Sequence, residues 1–179
     1  MEKRGDSPAL CMTAHLEITD THIQDAITHA VQNVCRVLVH HEARLVERLS
    51  AEAVEASQAK IEVMGNVGFV GDIDGIVYLC MCEEFAAYAV GEILGMSPAE
   101  VQGEGPGVLK DAIGEVTNMT VGGFKNALCD LGFPCKLTLP TIVRGQKLKA
   151  GAIKGASRHV FRFECSGRPL IADIQLKHD

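Results

Sequence analysis

The chain contains no tryptophan, and its two tyrosines and six phenylalanines bring aromatic residues to only 4% of the 179 positions. The core must therefore be aliphatic. No stretch approaches the ~18 uninterrupted apolar residues that a membrane-spanning helix requires. The first twenty residues carry basic side chains with no apolar run behind them, so they do not read as a signal peptide. An excess of positive charge is also missing. The formal net charge is −6, which argues against binding a phosphate backbone as the main task. Lysine and arginine gather only at Arg144, Lys147, Lys149, Lys154 and Arg158, a cluster expected in a solvated loop.

Cysteine is present, but without a pattern. The seven cysteines are an odd number, and none has the paired spacing of a zinc site or of a disulfide framework. Unpaired, reduced thiols imply a cytoplasmic setting. Cys80 and Cys82 lie two apart in an apparent strand and should share a face as small buried hydrophobes. The competing reading, a thiol- or metal-dependent protein built on that pair, has less support. His40 and His41 are adjacent, so on a helix they point ~100° apart and cannot share one ion. No metal ligand set is expected.

What is present is globular. Apolar residues make up 47% and charged residues 22% of the chain, and the length suits one domain with a proper core. Residues 1–18 read as a flexible leader and 19–179 as a single domain. Ile23, Ile27, Ala30, Val31, Val34 and Leu38 recur at helical spacing, so one helix is expected from 19 to about 49, with a polar loop after it. From Lys60 to Cys82 the pattern turns β-rich, and Asp74-Gly75 signals a hairpin. A second helix is expected at "EEFAAYAVGEILGM", and a third from about 107 to 130, ending near Gly132. "CKLTLPTIV" reads as a strand bent or placed at an edge by Pro140. "RHVFRFEC" and "LIADIQLKH" alternate as a closing hairpin. The order predicts an α+β fold, an antiparallel or mixed sheet with long helices packed on one face. Helix two ("AVGEIL") and helix three ("AIGEVT") share a weak similarity, consistent with a duplicated half-domain.

The third helix is unusual on its wet side. At ~100° per residue, and with Asp111 at zero, Glu115 falls near roughly 40°, Asn118 near roughly 340° and Gly122 near roughly 20°. Leu109, Ile113, Val116, Thr120, Phe124 and Ala127 fall on the far side. Asn118 and the pair Gly122-Gly123 are poor helix formers for an exposed interior, each glycine costing about 1 kcal/mol against alanine. A face kept only for solubility would use alanine, lysine or glutamate. The stripe also has no bulky side chain, so a partner's backbone could come close.

The pattern Asp111-x3-Glu115-x2-Asn118-x21-Pro140 resembles the signature of the CheC, CheX and FliY phosphatases of bacterial chemotaxis, over about residues 58–176. The resemblance implies a CheC/CheX-like fold and removal of the phosphoryl group from the aspartate of a CheY-like response regulator. It implies that Asn118 orients the attacking water and that Glu115 pairs with the receiver's active-site lysine. Asp111 would act as a support or cap, Gly122 would leave room for the partner, and Pro140 would shape the strand end. No cofactor is expected in this chain; Mg2+ is expected in the partner receiver. Helix two offers Glu92 but no asparagine one turn on, so one active site is expected, as in CheX. The family also suggests a homodimer. The alternative is a non-catalytic module that docks a receiver or a flagellar switch component through the same helix face.

Overall fold

The computed structural model describes residues 17–58 and 60–177. The expected leader lies outside these residues except for Glu17 and Ile18, and Ile18 packs against the core. The helices are α1 (Asp20–Val34), α2 (Ala51–Gln58), α3 (Glu83–Leu94), α4 (Pro98–Gly103) and α5 (Pro106–Asp130). The strands are β1 (Ala43–Arg48), β2 (Val63–Gly71), β3 (Asp74–Met81), β4 (Cys135–Leu137), β5 (Thr141–Arg144), β6 (Ser157–Cys165) and β7 (Arg168–Lys177). They form one sheet in the order β1-β6-β7-β3-β2-β4, with β5 also on β2, and each pairing is antiparallel.

That order reads the same from both edges: exchanging β1 with β4–β5, β2 with β6 and β3 with β7 reproduces it. The chain is thus two α-β-β-β halves, and the partner of α5 in the repeat is α1, not α3. The sequences agree once aligned this way. "QDAITHAVQ" in α1 stands against "KDAIGEVTN" in α5, with buried Ala26-Ile27 matching buried Ala112-Ile113. The similarity expected between the second and third helices does not follow the symmetry of the sheet, because among the described residues α3 has no counterpart in the second half.

Two helical readings are corrected. The helix expected over 19–49 ends at Val34, passes through a π-type turn at Cys35–Val39, and stops where His40 adopts the left-handed region at φ 58°. The chain then enters the sheet as β1. Ala43, Leu45, Glu47 and Arg48 are tolerable in a helix, but pairing with β6 overrides that preference. Arg44 reaches Glu164, and Glu47 accepts from Arg162 at 2.8 Å. The polar stretch after Leu49 is the short helix α2 rather than a loop. The β2–β3 hairpin turns at Asp72-Ile73, two residues before the expected Asp74-Gly75, which already lie in β3. Asp74 Oδ1 accepts from the Gly71 N–H at 3.1 Å and closes that turn.

The long helices α1, α3 and α5 cover one face of the sheet and form the main core with Val63, Val67, Phe69, Val77, Leu79, Phe161, Phe163 and Ile174. The opposite face carries a smaller cluster of Val54 from α2 with Met64, Cys80, Val160 and Ile171. Cys80 and Cys82 therefore do not share a face. Cys80 lies in the smaller cluster, where burial pushes its thiol pKa up, while Cys82 has left the strand and caps α3, its Sγ accepting from Phe85 N. The basic stretch is anchored at both ends. Arg144 pairs with Glu83, and Arg158 pairs with the buried Asp173 at 2.5 Å. Gln175 holds the connection between them by accepting from Ile153 N and donating to Gly151 O.

Helix α5 is seated by one close approach. The Thr117 side chain lies where a Cβ on Gly65 of β2 would be, 2.1 Å from Thr117 Oγ1. The buried hydroxyls of Thr117 and Thr120 donate to the carbonyls of Ile113 and Val116, so the helix buries them without an orphaned group. Further along, Phe124 meets Phe69 edge-on at 6.1 Å. Gly65→Ala should therefore destabilise the fold by about 1–3 kcal/mol through overpacking, measured as a lower melting temperature and a lower denaturant midpoint.

Candidate functional site

Because Ile113, Val116, Thr117, Thr120, Val121, Phe124 and Leu128 all point into the core, the opposite side of α5 is held outward. Asp111, Glu115 and Asn118 are exposed along it, and Gly122 is half-buried on the same line. The apolar side is wider than the spacing predicts: Thr117, Val121 and Leu128 are buried as well, since α1 and α3 flank the helix while the sheet lies beneath it.

The second wall comes from the bend between β4 and β5. Both strands pair with β2, and Thr138-Leu139-Pro140 bulges out between them. Thr138 pins the bend, its N–H donating to Gly68 O at 2.8 Å while its Oγ1 accepts from Gly68 N at 2.9 Å. Pro140 suits this place, since it has no N–H to offer a ladder. A shallow groove of about 320 Å³ results, lined by Lys110, Asp111, Gly114, Glu115, Asn118, Pro140 and Ile142. Residues 22 apart in the chain, Asn118 and Pro140, thus face one another across it.

Of the five residues singled out in the sequence, four meet here. Gly122 does not line the groove, and nothing lies within 4 Å of where its Cβ would be. Asp111 is not a helix cap, because Gly105 holds that position and Asp111 sits in the second turn. Among the described residues, no hydrogen bond or ion pair within the chain engages the side chains of Asp111, Glu115 or Asn118. Lys110, Gly114 and Ile142 were not anticipated. Gly114 could have been noticed as a further glycine in the interior of the helix, besides the pair Gly122-Gly123. Ile142 follows Pro140 by two residues, so an extended chain returns it to the same side. Leu139, at the tip of the bend, is 87% exposed, the most exposed large apolar side chain among the described residues.

A carboxylate and a carboxamide three residues apart, unbonded and outward, can together accept a charged donor and orient a water, since the amide both donates and accepts while remaining neutral. The corresponding face of α1 carries Asp25, His29 and Gln32, with an imidazole where α5 has its carboxylate. In α3, Glu92 lies 3.9 Å from His41 Nε2. Among the described residues no three His, Cys, Asp or Glu side chains group as a metal site, and no helix is long and apolar enough to cross a membrane.

A sequence profile of the family described as "Chemotaxis phosphatase CheX" matches residues 63–164, from the start of β2 almost to the end of β6 and including the four motif positions and Gly122. The chain belongs to the CheX family. Solved structures agree in fold. A CheX from Vibrio vulnificus is 22% identical, with a TM-score of 0.75 over 87% of this chain and 99% of that one. A CheX from Desulfovibrio desulfuricans is 20% identical, with a TM-score of 0.74 over the same shares of the two chains. The chain is also similar to one in the complex of CheX, CheY, BeF3 and Mg from Borrelia burgdorferi, with 18% identity and a TM-score of 0.70 over 87% of this chain and 98% of that one. No curated protein sequence matches. The CheX match leaves α1, β1, α2 and β7 outside, yet β1 and β7 both pair with β6 in the one sheet.

Glu115 and Asn118 contribute nothing visible to the packing of their own chain. Glu115→Ala and Asn118→Ala should each leave stability within about 0.5 kcal/mol of the parent, measured by chemical denaturation.

Proposed function

We propose that this protein hydrolyses the aspartyl phosphate of a CheY-like receiver domain, using the groove between α5 and the β4–β5 bend. The observation that carries this reading is the pairing of Glu115 with Asn118, exposed and unbonded, in a groove that Pro140 closes on its far side. Membership in the CheX family and likeness to a chain solved together with CheY support the choice of partner.

The chemistry divides between two proteins. The receiver supplies the phosphoryl group, a Mg2+ ion and a lysine. The missing part is a water held in line with the scissile bond. Phosphoryl transfer passes through a loose transition state, so positioning carries most of the work. Asn118 fits that role. Its carbonyl oxygen accepts from the water, its NH2 donates toward a phosphoryl oxygen, and its neutrality avoids repulsion from the anionic group. The water oxygen forms the new bond to phosphorus. The bond from phosphorus to the aspartyl oxygen breaks, its electron pair returns to the carboxylate, and inorganic phosphate leaves.

Glu115 lies one turn before Asn118 on the same face, where its carboxylate pairs with the receiver lysine and sets the register of docking. Lys110 and Asp111 sit at the rim and contribute charge there. Asn118→Ala should reduce receiver dephosphorylation by about 10²-fold or more with binding largely retained, measured as loss of label from a phosphorylated receiver in Mg2+. Glu115→Lys should weaken association by about 2–5 kcal/mol, measured as a raised dissociation constant. Unchanged hydrolysis by Asn118→Ala would refute the proposal. A parent protein that binds a phosphorylated receiver tightly without accelerating its hydrolysis would make it a docking module instead.

A further inference from the structure

Glycines in the interior of a helix lower its stability relative to alanine, so each invites a reason. In α5, Gly123 has one inside the molecule: a Cβ there would meet the Ala30 Cβ of α1 at 3.2 Å, so its bareness lets the two helices close on one another. Gly65, under the same helix, is explained by Thr117. Gly114 is different. A Cβ placed on it would meet only Ile142 Cγ1, at 3.9 Å, an ordinary van der Waals contact. The chain's own packing therefore has room for alanine, and the fold does not need the glycine.

Its position gives it another use. Gly114 lies in the floor of the groove, one residue before Glu115 and one turn before Asn118, facing Ile142 and the Pro140 wall. Gly114 itself is buried, so what its missing methyl leaves open is the space above it, between the two side chains that act and the wall opposite. We propose that Gly114 is a steric determinant of partner docking: the volume left by its missing Cβ lets a loop of the receiver descend far enough for Asn118 to reach the aspartyl phosphate. This inference rests on the phosphatase reading above and names the feature that sets the depth of engagement. The occupant over Gly114 is main chain of the receiver, with the receiver lysine reaching Glu115 beside it, because the groove is shallow and about 320 Å³ in volume.

The test uses the full chain with Gly114→Ala, Gly114→Val and Asn118→Ala, and a receiver that the parent dephosphorylates. Melting temperature, affinity for the receiver loaded with Mg2+ and beryllofluoride, and steady-state hydrolysis are measured for each. Gly114→Ala is expected to melt at or above the parent temperature, to bind at least tenfold more weakly and to raise KM more than it lowers kcat, with Gly114→Val binding more weakly still. An alanine variant whose dissociation constant stays within twofold of the parent overturns the inference. So does one that loses thermal stability along with affinity, because the glycine would then serve the chain's own packing. Asn118→Ala separates the two levels. If it is inactive but binds normally while Gly114→Ala binds like the parent, only the Gly114 inference fails. If Asn118→Ala hydrolyses at the parent rate, the phosphatase reading itself fails.

Discussion

The seating of α5 on β2 is the constraint on which the rest of the structure depends. Thr117 occupies the volume that any side chain at Gly65 would claim, and Phe124 closes on Phe69 further along. These contacts fix both the height of the helix above the sheet and its rotation about its own axis. Since successive residues of a helix are ~100° apart, turning Thr117 inward leaves Asn118 and Glu115 no choice but to face out. The outward face is thus a consequence of burial elsewhere, and a shift at Gly65 would move the groove through Thr117 beneath the helix and through Ile142, which lines the groove and lies 2.9 Å from where a Gly65 Cβ would be.

The two halves of the fold show how one architecture can support different faces. The sheet order is symmetric about the β3–β7 pair, and α1 and α5 bury the same Ala-Ile step. What differs lies on the wet side, where α1 carries His29 and Gln32 and α5 carries Glu115 and Asn118. The surroundings differ as well. Opposite α5 stands the β4–β5 bend with Pro140, while in the first half the chain runs into β1 after the left-handed residue His40. A groove needs a helix face and a wall, and the wall of the second half is a product of Pro140 and the Thr138 pin.

Legibility in the sequence followed the range of the forces involved. The β6–β7 hairpin, the extent of α5 and its stop at Gly132, with φ 91°, were readable because alternation, helical period and the left-handed glycine are local signals. The region from Cys35 to Gln58 was not. Ala43–Arg48 has the composition of a helix, and only a partner strand bearing Arg162 and Glu164 makes it a strand. The Cys80 and Cys82 pair misled for a related reason, since the strand ends between them and Cys82 turns to cap α3. Within the site, the stripe of Asp111, Glu115 and Asn118 was visible on a helical wheel, whereas the membership of Ile142 and Lys110 and the emptiness above Gly114 were not.

The division has a physical basis. Periodicity reports which side of an element avoids water, so the residue pattern alone settles that α5 is a helix, which face it buries, and that a carboxylate and an amide share the other. It cannot report what stands across from that face, because contacts between residues far apart in the chain leave no period behind. Only the tertiary structure decides that Pro140 closes the groove opposite Asn118, that Gly65 yields its volume to Thr117, and that α1 rather than α3 is the twin of α5.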